Sequence, residues 1–399
     1  MIRETKIFFR DFLKNILNKY LQRKSFFTKK NTLLIVRIDA IGDYILFRNF
    51  IKVIKESERF NNYSITLLGN KIWKDLAEEL DHKYIDKFIW IDVNNFFKKS
   101  EWAQTFSVLF KLHYSGFETI LIPKDTRNWR SELIVNHTGA KNVLMEKNKS
   151  FFSENVSGQA KENSCIGSVN NDRTPLFQFY RNKFFTEELI RSSIPIQKPY
   201  IEKVRKEKLN GNIKGEYIIV FPGASDIKKM WSAENFGILC KKITEEKNIN
   251  ILVCGSESDK EAAIKIKKIS GIQSIKDKTR DGSLLELVVL ISSAKLLITN
   301  DTCALHIGAA LNTKTICITN GLHFGRFHPY PEDMFDYVKT LYPDENLIKN
   351  GNFESLARKF HLCSELNINL ISPDKVYHSV REFLQTDIQE EHMINRANE

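Results

Sequence analysis

Leu33-Leu34-Ile35-Val36-Arg37-Ile38 runs directly into Asp39-Ala40-Ile41-Gly42-Asp43, and the fold follows from that junction. The apolar run is short and lacks polar alternation, which predicts a strand buried on both faces of a parallel sheet. Gly42 suits a tight turn, and the pattern to about Lys55 is helical. Strand, turn and helix in that order make the opening unit of an α/β domain.

The same alternation continues along the chain. Further strands are predicted at 64–68, 87–91 and 119–122, with helical segments such as 71–80 and 103–112 between them. Residues 148–175 turn polar and read as a loop or insertion. A second series opens with Tyr217-Ile218-Ile219-Val220-Phe221 and continues at 249–254, 295–299 and 315–318, before a last helix at 373–384. The organisation predicted is a basic segment 1–30, one α/β domain over 31–205, a second over 206–385, and a charged tail 386–399.

Composition sets bounds on this reading. The chain has 399 residues, 42% of them hydrophobic, enough for two cores. The 60 Lys and Arg exceed the 49 Asp and Glu, and residues 1–30 carry nine basic residues against two acidic ones. There Phe8, Phe9, Phe12, Leu13, Ile16, Leu17, Tyr20 and Leu21 recur at helical spacing, which predicts a basic amphipathic helix. Such a helix suits either an anionic bilayer surface or the domain that follows. Six cysteines without a Cys-x-x-Cys pair or a zinc spacing fit a reducing cytoplasm, and no segment reads as a signal peptide or a membrane span. The excess charge is not accompanied by a nucleic-acid-binding module, so nucleic acid is not an expected partner.

In parallel α/β sheets, ligands bind beyond the carboxyl ends of the strands, so the chemistry is sought in four turns. Asp43 reads equally as a helix N-cap or as a carboxylate that takes a proton from a hydroxyl. Phe221-Pro222-Gly223-Ala224-Ser225-Asp226-Ile227-Lys228-Lys229 offers a hydroxyl and two lysines, which suit a diphosphate or simply a solvated loop. Gly255-Ser256-Glu257-Ser258-Asp259 offers small residues and a carboxylate for ribose hydroxyls, or an ordinary helix cap. Thr299-Asn300-Asp301-Thr302-Cys303-Ala304-Leu305-His306 places free N–H groups and a hydroxyl at a helix start, an arrangement competent for an anion.

Taken together, these turns resemble glycosyltransferase family 9, the heptosyltransferases of lipopolysaccharide assembly. The opening strand with Arg37, Asp39, Gly42 and Asp43 is similar to that family's Arg-x-Asp-x-x-Gly-Asp turn. Pro222-Gly223-Ala224-Ser225, with Lys229 before Trp231, and Asn300-Asp301-Thr302 with His306 and Ala309-Ala310-Leu311 resemble two further family segments, and Arg130-Ser131-Glu132-Leu133 a fourth. The resemblance implies a GT-B fold, two Rossmann-like domains facing a cleft, with acceptor on the first and donor on the second. It implies Asp43 as catalytic base, with Arg37, Asp39 and Gly42 beside it on the acceptor side. Ser225, Lys229, Gly255, Glu257, Asp301, Thr302, Cys303 and His306 are implied as donor contacts, with no metal and no cofactor. Cys303 stands where the family usually has glycine, which narrows the space for the sugar. The partners implied are a nucleotide-sugar donor, a lipopolysaccharide or glycolipid acceptor, and the cytoplasmic membrane face through residues 1–30. A sugar-nucleotide epimerase and a non-catalytic sugar-nucleotide-binding protein are the alternatives.

Overall fold

The computed structural model of the protein describes residues 28–96, 98–123, 129–145, 177–202, 215–279 and 282–397. Most of the N-terminal basic segment and the polar stretch near 148–175 lie outside them, as do the side chains of Arg130 and Glu132. The described residues form two compact units. The first holds β1 to β5 with Arg181–Ile196, and the second holds 177–180 with the chain from Gln197 onward. The helix Gln178–Ile190 therefore contributes residues to both.

The first sheet has the order β3-β2-β1-β4-β5, every pair parallel. Its strands are β1 (Lys29–Arg37), β2 (Ser64–Asn70), β3 (Lys87–Ile91), β4 (Phe117–Ile122) and β5 (Asn142–Met145). Leu33 to Arg37 are all buried, as an interior parallel strand requires, whereas Lys29 to Asn31 are exposed. Leu34, Val36, Leu68, Ile89, Ile120 and Ile134 join one core.

The second sheet has the order β11-β10-β9-β6-β7-β8, again parallel throughout. Its strands are β6 (Tyr217–Phe221), β7 (Asn250–Cys254), β8 (Lys276–Lys278), β9 (Leu296–Asn300), β10 (Thr315–Ile318) and β11 (Val338–Leu341). Counted from β6, this is the doubly wound 3-2-1-4-5-6 order, whose direction of winding reverses between β6 and β9. Phe221 registers with Thr299, and Asn300 with Ile318, so the carboxyl ends of three strands are level. Burial of Ile218, Val220, Phe236, Ile251, Ile298 and Ile316 makes its core.

Three strands differ from the sequence expectation. β5, β8 and β11 have three or four residues each, too short to leave a periodic signal, and Lys276-Asp277-Lys278 has no apolar residue. The last helix, Pro373–Ala397, continues through the residues read as a charged tail. Among the described residues no helix is long and apolar enough to cross a membrane.

Candidate functional site

Two sets of side chains gather at strand carboxyl ends, one in each unit. In the first, Arg37 is buried at the end of β1, and its guanidinium organises the turn after it. Nη1 donates to Pro123 O just beyond β4 at 2.6 Å, and Nη2 donates to Asp43 O at 2.9 Å. Nε lies 3.1 Å from Asp39 Oδ2, a buried ion pair, and the group sits 4.6 Å from the centre of the Phe47 ring. Asp39 O accepts from Asn70 Nδ2 and Trp73 Nε1. Arg37 and Asp39 therefore build the turn and fix the place from which Asp43 projects.

Two expectations are corrected here. The helix is Ile41–Phe47 with Ala40 as its N-cap, so Asp43 is not the cap but the third helical residue. Its charge in the first turn is favoured by the helix dipole. Gly42 lies inside that helix, buried, and is absent from the positive-φ residues, so it does not make the turn by a left-handed backbone.

In the second unit the turns after β6 and β9 are joined by side chains. Asn300 Nδ2 donates to Pro222 O at 2.6 Å, and Asn300 Oδ1 accepts from Trp231 N at 3.1 Å. Next to it, Lys229 Nζ lies 2.5 Å from Asp301 Oδ2, both side chains buried. Burial raises the Asp301 carboxyl, but Lys229 and the nearby His328 outweigh it and hold the group below the usual carboxylate range. The pair leaves Oδ2 without an aligned hydrogen bond. Lys229 ends the short turn Ile227–Lys229, which Asp226 caps through Lys228 N.

Thr302 is the N-cap of the helix Cys303–Ala310, its hydroxyl accepting from Ala304 N at 3.2 Å and lying 3.2 Å from the Thr299 hydroxyl. In the cap that hydroxyl acts as acceptor, which leaves its O–H as a donor. His306 points into the core, its Nδ1 2.6 Å from the Tyr330 hydroxyl, and burial lowers its pKa to about 4. The ring is neutral near pH 7. Cys303 is partly exposed at the helix start, and burial pushes its thiol up to about 11.

The third turn is organised by Asp259, a residue that sequence reading did not single out beside Gly255 and Glu257. Asp259 Oδ2 accepts from Ser256 N and Ser256 Oγ, both at 2.7 Å. Its carboxylate fills the space where a Cβ on Gly223 or Gly255 would stand, at 2.5 Å and 2.7 Å. The loops after β6 and β7 thus approach each other across two glycines. Glu257 and Ser225 are exposed nearby.

Sequence reading also missed the loop after β10. Asn320 Nδ2 donates to Lys228 O at 3.0 Å, bringing this loop against the lysine turn. His328 Nε2 donates to Leu322 O at 2.9 Å, so in the neutral ring Nδ1 accepts from the Tyr342 hydroxyl at 3.0 Å. The signal was the run His323-Phe324-Gly325-Arg326-Phe327-His328-Pro329-Tyr330 directly after a strand's carboxyl end. Among the described residues no group of three or more His, Cys, Asp or Glu is placed to hold a metal ion.

Two parallel-sheet units, the second doubly wound with an ion pair and a capped helix at its point of reversal, make the GT-B fold of solved glycosyltransferases. The comparisons narrow the class. Residues 186–344 match the model of glycosyltransferase family 9 (heptosyltransferase). Lipopolysaccharide heptosyltransferase 1 of Campylobacter coli is 23% identical over 292 residues, 71% of this chain and 82% of that protein. A family 9 glycosyltransferase from Veillonella parvula superposes with a TM-score of 0.66 at 16% identity, covering 89% of this chain and 98% of the other. Escherichia coli heptosyltransferase WaaC with ADP superposes with a TM-score of 0.63 at 12% identity, covering 88% and 99%.

Proposed function

We propose that the protein transfers a heptose or a related sugar from an ADP-sugar or another nucleotide-diphosphate sugar to a hydroxyl of a lipopolysaccharide or glycolipid acceptor. The reaction is direct, inverting and metal-independent. The observation that carries this reading is the buried Lys229–Asp301 pair where the second sheet reverses, a fixed cation beside a capped helix start. Asp43 accepts the proton of the acceptor hydroxyl as its oxygen attacks the anomeric carbon. The bond from that carbon to the diphosphate breaks, and its electron pair leaves with the nucleoside diphosphate.

Lys229 has three N–H donors, of which Asp301 occupies one direction, so the others serve the departing diphosphate. Ser225, exposed on the same loop, adds a hydroxyl donor, and Gly255 and Glu257 line the nucleoside side. Thr302 and Cys303 present the helix start, with His306 behind them. Arg37, Asp39 and Gly42 hold the base on the acceptor side, assigned to residues 31–205, and the donor side is assigned to 206–385. The ADP choice draws on the Escherichia coli relative bound to ADP, and the heptose and lipopolysaccharide on the names of the relatives. Residues 1–30 attach the enzyme to the anionic cytoplasmic face of the membrane, a reading supported by their charge and spacing.

Purified full-length protein given ADP-heptose and a lipopolysaccharide core acceptor in EDTA should release ADP and form one anomer, inverted relative to the donor. Asp43→Asn should lower kcat by about 10²- to 10⁴-fold. Near-normal turnover of that variant at saturating substrates would remove Asp43 as the base.

A further inference from the structure

We propose that His323 hydrogen-bonds the transferred sugar of the nucleotide-sugar donor and so helps decide which sugar is accepted, an assignment that rests on the donor site proposed above. The residue lies in the loop that leaves the carboxyl end of β10, on the same side of the sheet as Lys229 and Asp301. Asn320 ties that loop to Lys228, and His328, at its far end, stands 3.9 Å from Asp301 Oδ2.

The backbone at His323 is left-handed, with φ 69°, between Gly321 at 87° and Gly325 at 78°. Glycine is the least strained residue in this region, and a histidine kept between two left-handed glycines points to a use for its ring. The backbone is held there, because His323 N donates to Phe360 O at 2.8 Å.

The ring carries the second observation. His306 and His328 both have partners, Tyr330 for the first and Leu322 and Tyr342 for the second. His323 Nδ1 is buried with no hydrogen-bond partner, and the ring packs edge-on against Phe327 at 5.6 Å. A buried polar atom left unpaired in the ligand-free protein is costly unless a ligand completes it, and a half-turn about Cβ–Cγ exchanges Nδ1 with Cδ2 to reach one. Burial lowers the pKa of the ring to about 4, so it is neutral at working pH. A neutral imidazole pairs with sugar hydroxyls, whereas the charged Lys229 suits the diphosphate.

The test compares ADP with an ADP-sugar on full-length His323→Gly and His323→Gln proteins. The glycine variant relieves the backbone strain and keeps the fold. Titration calorimetry should give ADP affinities within about twofold of wild type for both variants. Affinity and kcat/KM for the ADP-sugar should fall by about tenfold for His323→Gly and recover in part for His323→Gln. Discrimination between ADP-sugars that differ in one hydroxyl should narrow. Equal losses for ADP and ADP-sugar would assign His323 a structural role, and unchanged values for both would remove it from the site. Wild-type protein that binds neither ADP nor a panel of nucleotide-sugars would instead overturn the donor-site reading itself, and this assignment with it.

Discussion

Lys229 and Asp301, seventy-two positions apart in sequence, meet as a 2.5 Å ion pair between the turns that leave β6 and β9. Neither charge has much access to water, so each depends on the other. Removing one partner from a buried pair leaves an uncompensated charge and costs about 3–5 kcal/mol. Lys229→Met and Asp301→Asn should each lose stability of that order in urea unfolding. The double variant should lose less than the two single losses combined, because no charge is then left unpaired. Additive losses would show that the two do not interact.

Gly223 and Gly255 leave room for the Asp259 carboxylate. A Cβ on Gly223 would stand 2.5 Å from Asp259 Oδ1, closer than packing allows. Gly223→Ala should therefore cost about 1–3 kcal/mol, the usual cost of overpacking. In an Asp259→Ala background the obstacle is gone and most of that cost should vanish. A cost that persists in the double variant would place the strain in the backbone of Gly223 rather than at Asp259. Thermal unfolding of the four proteins decides it.

Arg37 reaches Pro123 O, Asp43 O and the Asp39 carboxylate from one planar group. Lysine keeps the charge but cannot address several acceptors in a fixed fork. Arg37→Lys should lose about 1–3 kcal/mol through the buried carbonyls it leaves unpaired. Its activity should fall through kcat more than through donor KM, since the turn it holds carries Asp43 and no donor contact is assigned there. An unchanged kcat would separate the turn from the base.

Much of this arrangement was legible in the sequence, for reasons specific to each element. Leu33 to Val36 and Tyr217 to Phe221 are continuous apolar runs, and interior parallel strands buried on both faces require that composition. The turns after them contain most of the candidate site because ligand chemistry collects at strand carboxyl ends. Partners were not legible. That Asn300 spans to Pro222, that Asp259 fills the space over Gly223, and that Asn320 reaches Lys228 depend on strand order, which one-dimensional periodicity does not encode. Thr302 shows the same limit from the other side. Its hydroxyl reads as an anion contact, and that it also caps the helix by accepting from Ala304 N is visible only in the structure.

Acid should unfold the second unit in two stages. Burial lowers His306 from 6.5 to about 4 in the folded protein, and His323 likewise to about 4. A histidine whose folded pKa is depressed takes up a proton on unfolding at any pH between the two values, so its contribution is complete above about 6.5 and is lost as pH falls toward 4. For the fully buried His306 that difference corresponds to about 3 kcal/mol. Asp301 acts later, because its folded pKa lies below the ordinary 3.8, and its contribution survives until pH drops beneath that value. Urea midpoints should therefore decline between pH 7 and pH 5 while Asp301 is still ionised. His306→Gln, which cannot take the proton, should flatten that decline whatever it costs at pH 7. A wild-type midpoint that holds level from pH 7 to pH 5 would mean that His306 reaches water or a proton acceptor in solution, and that burial does not lower its pKa.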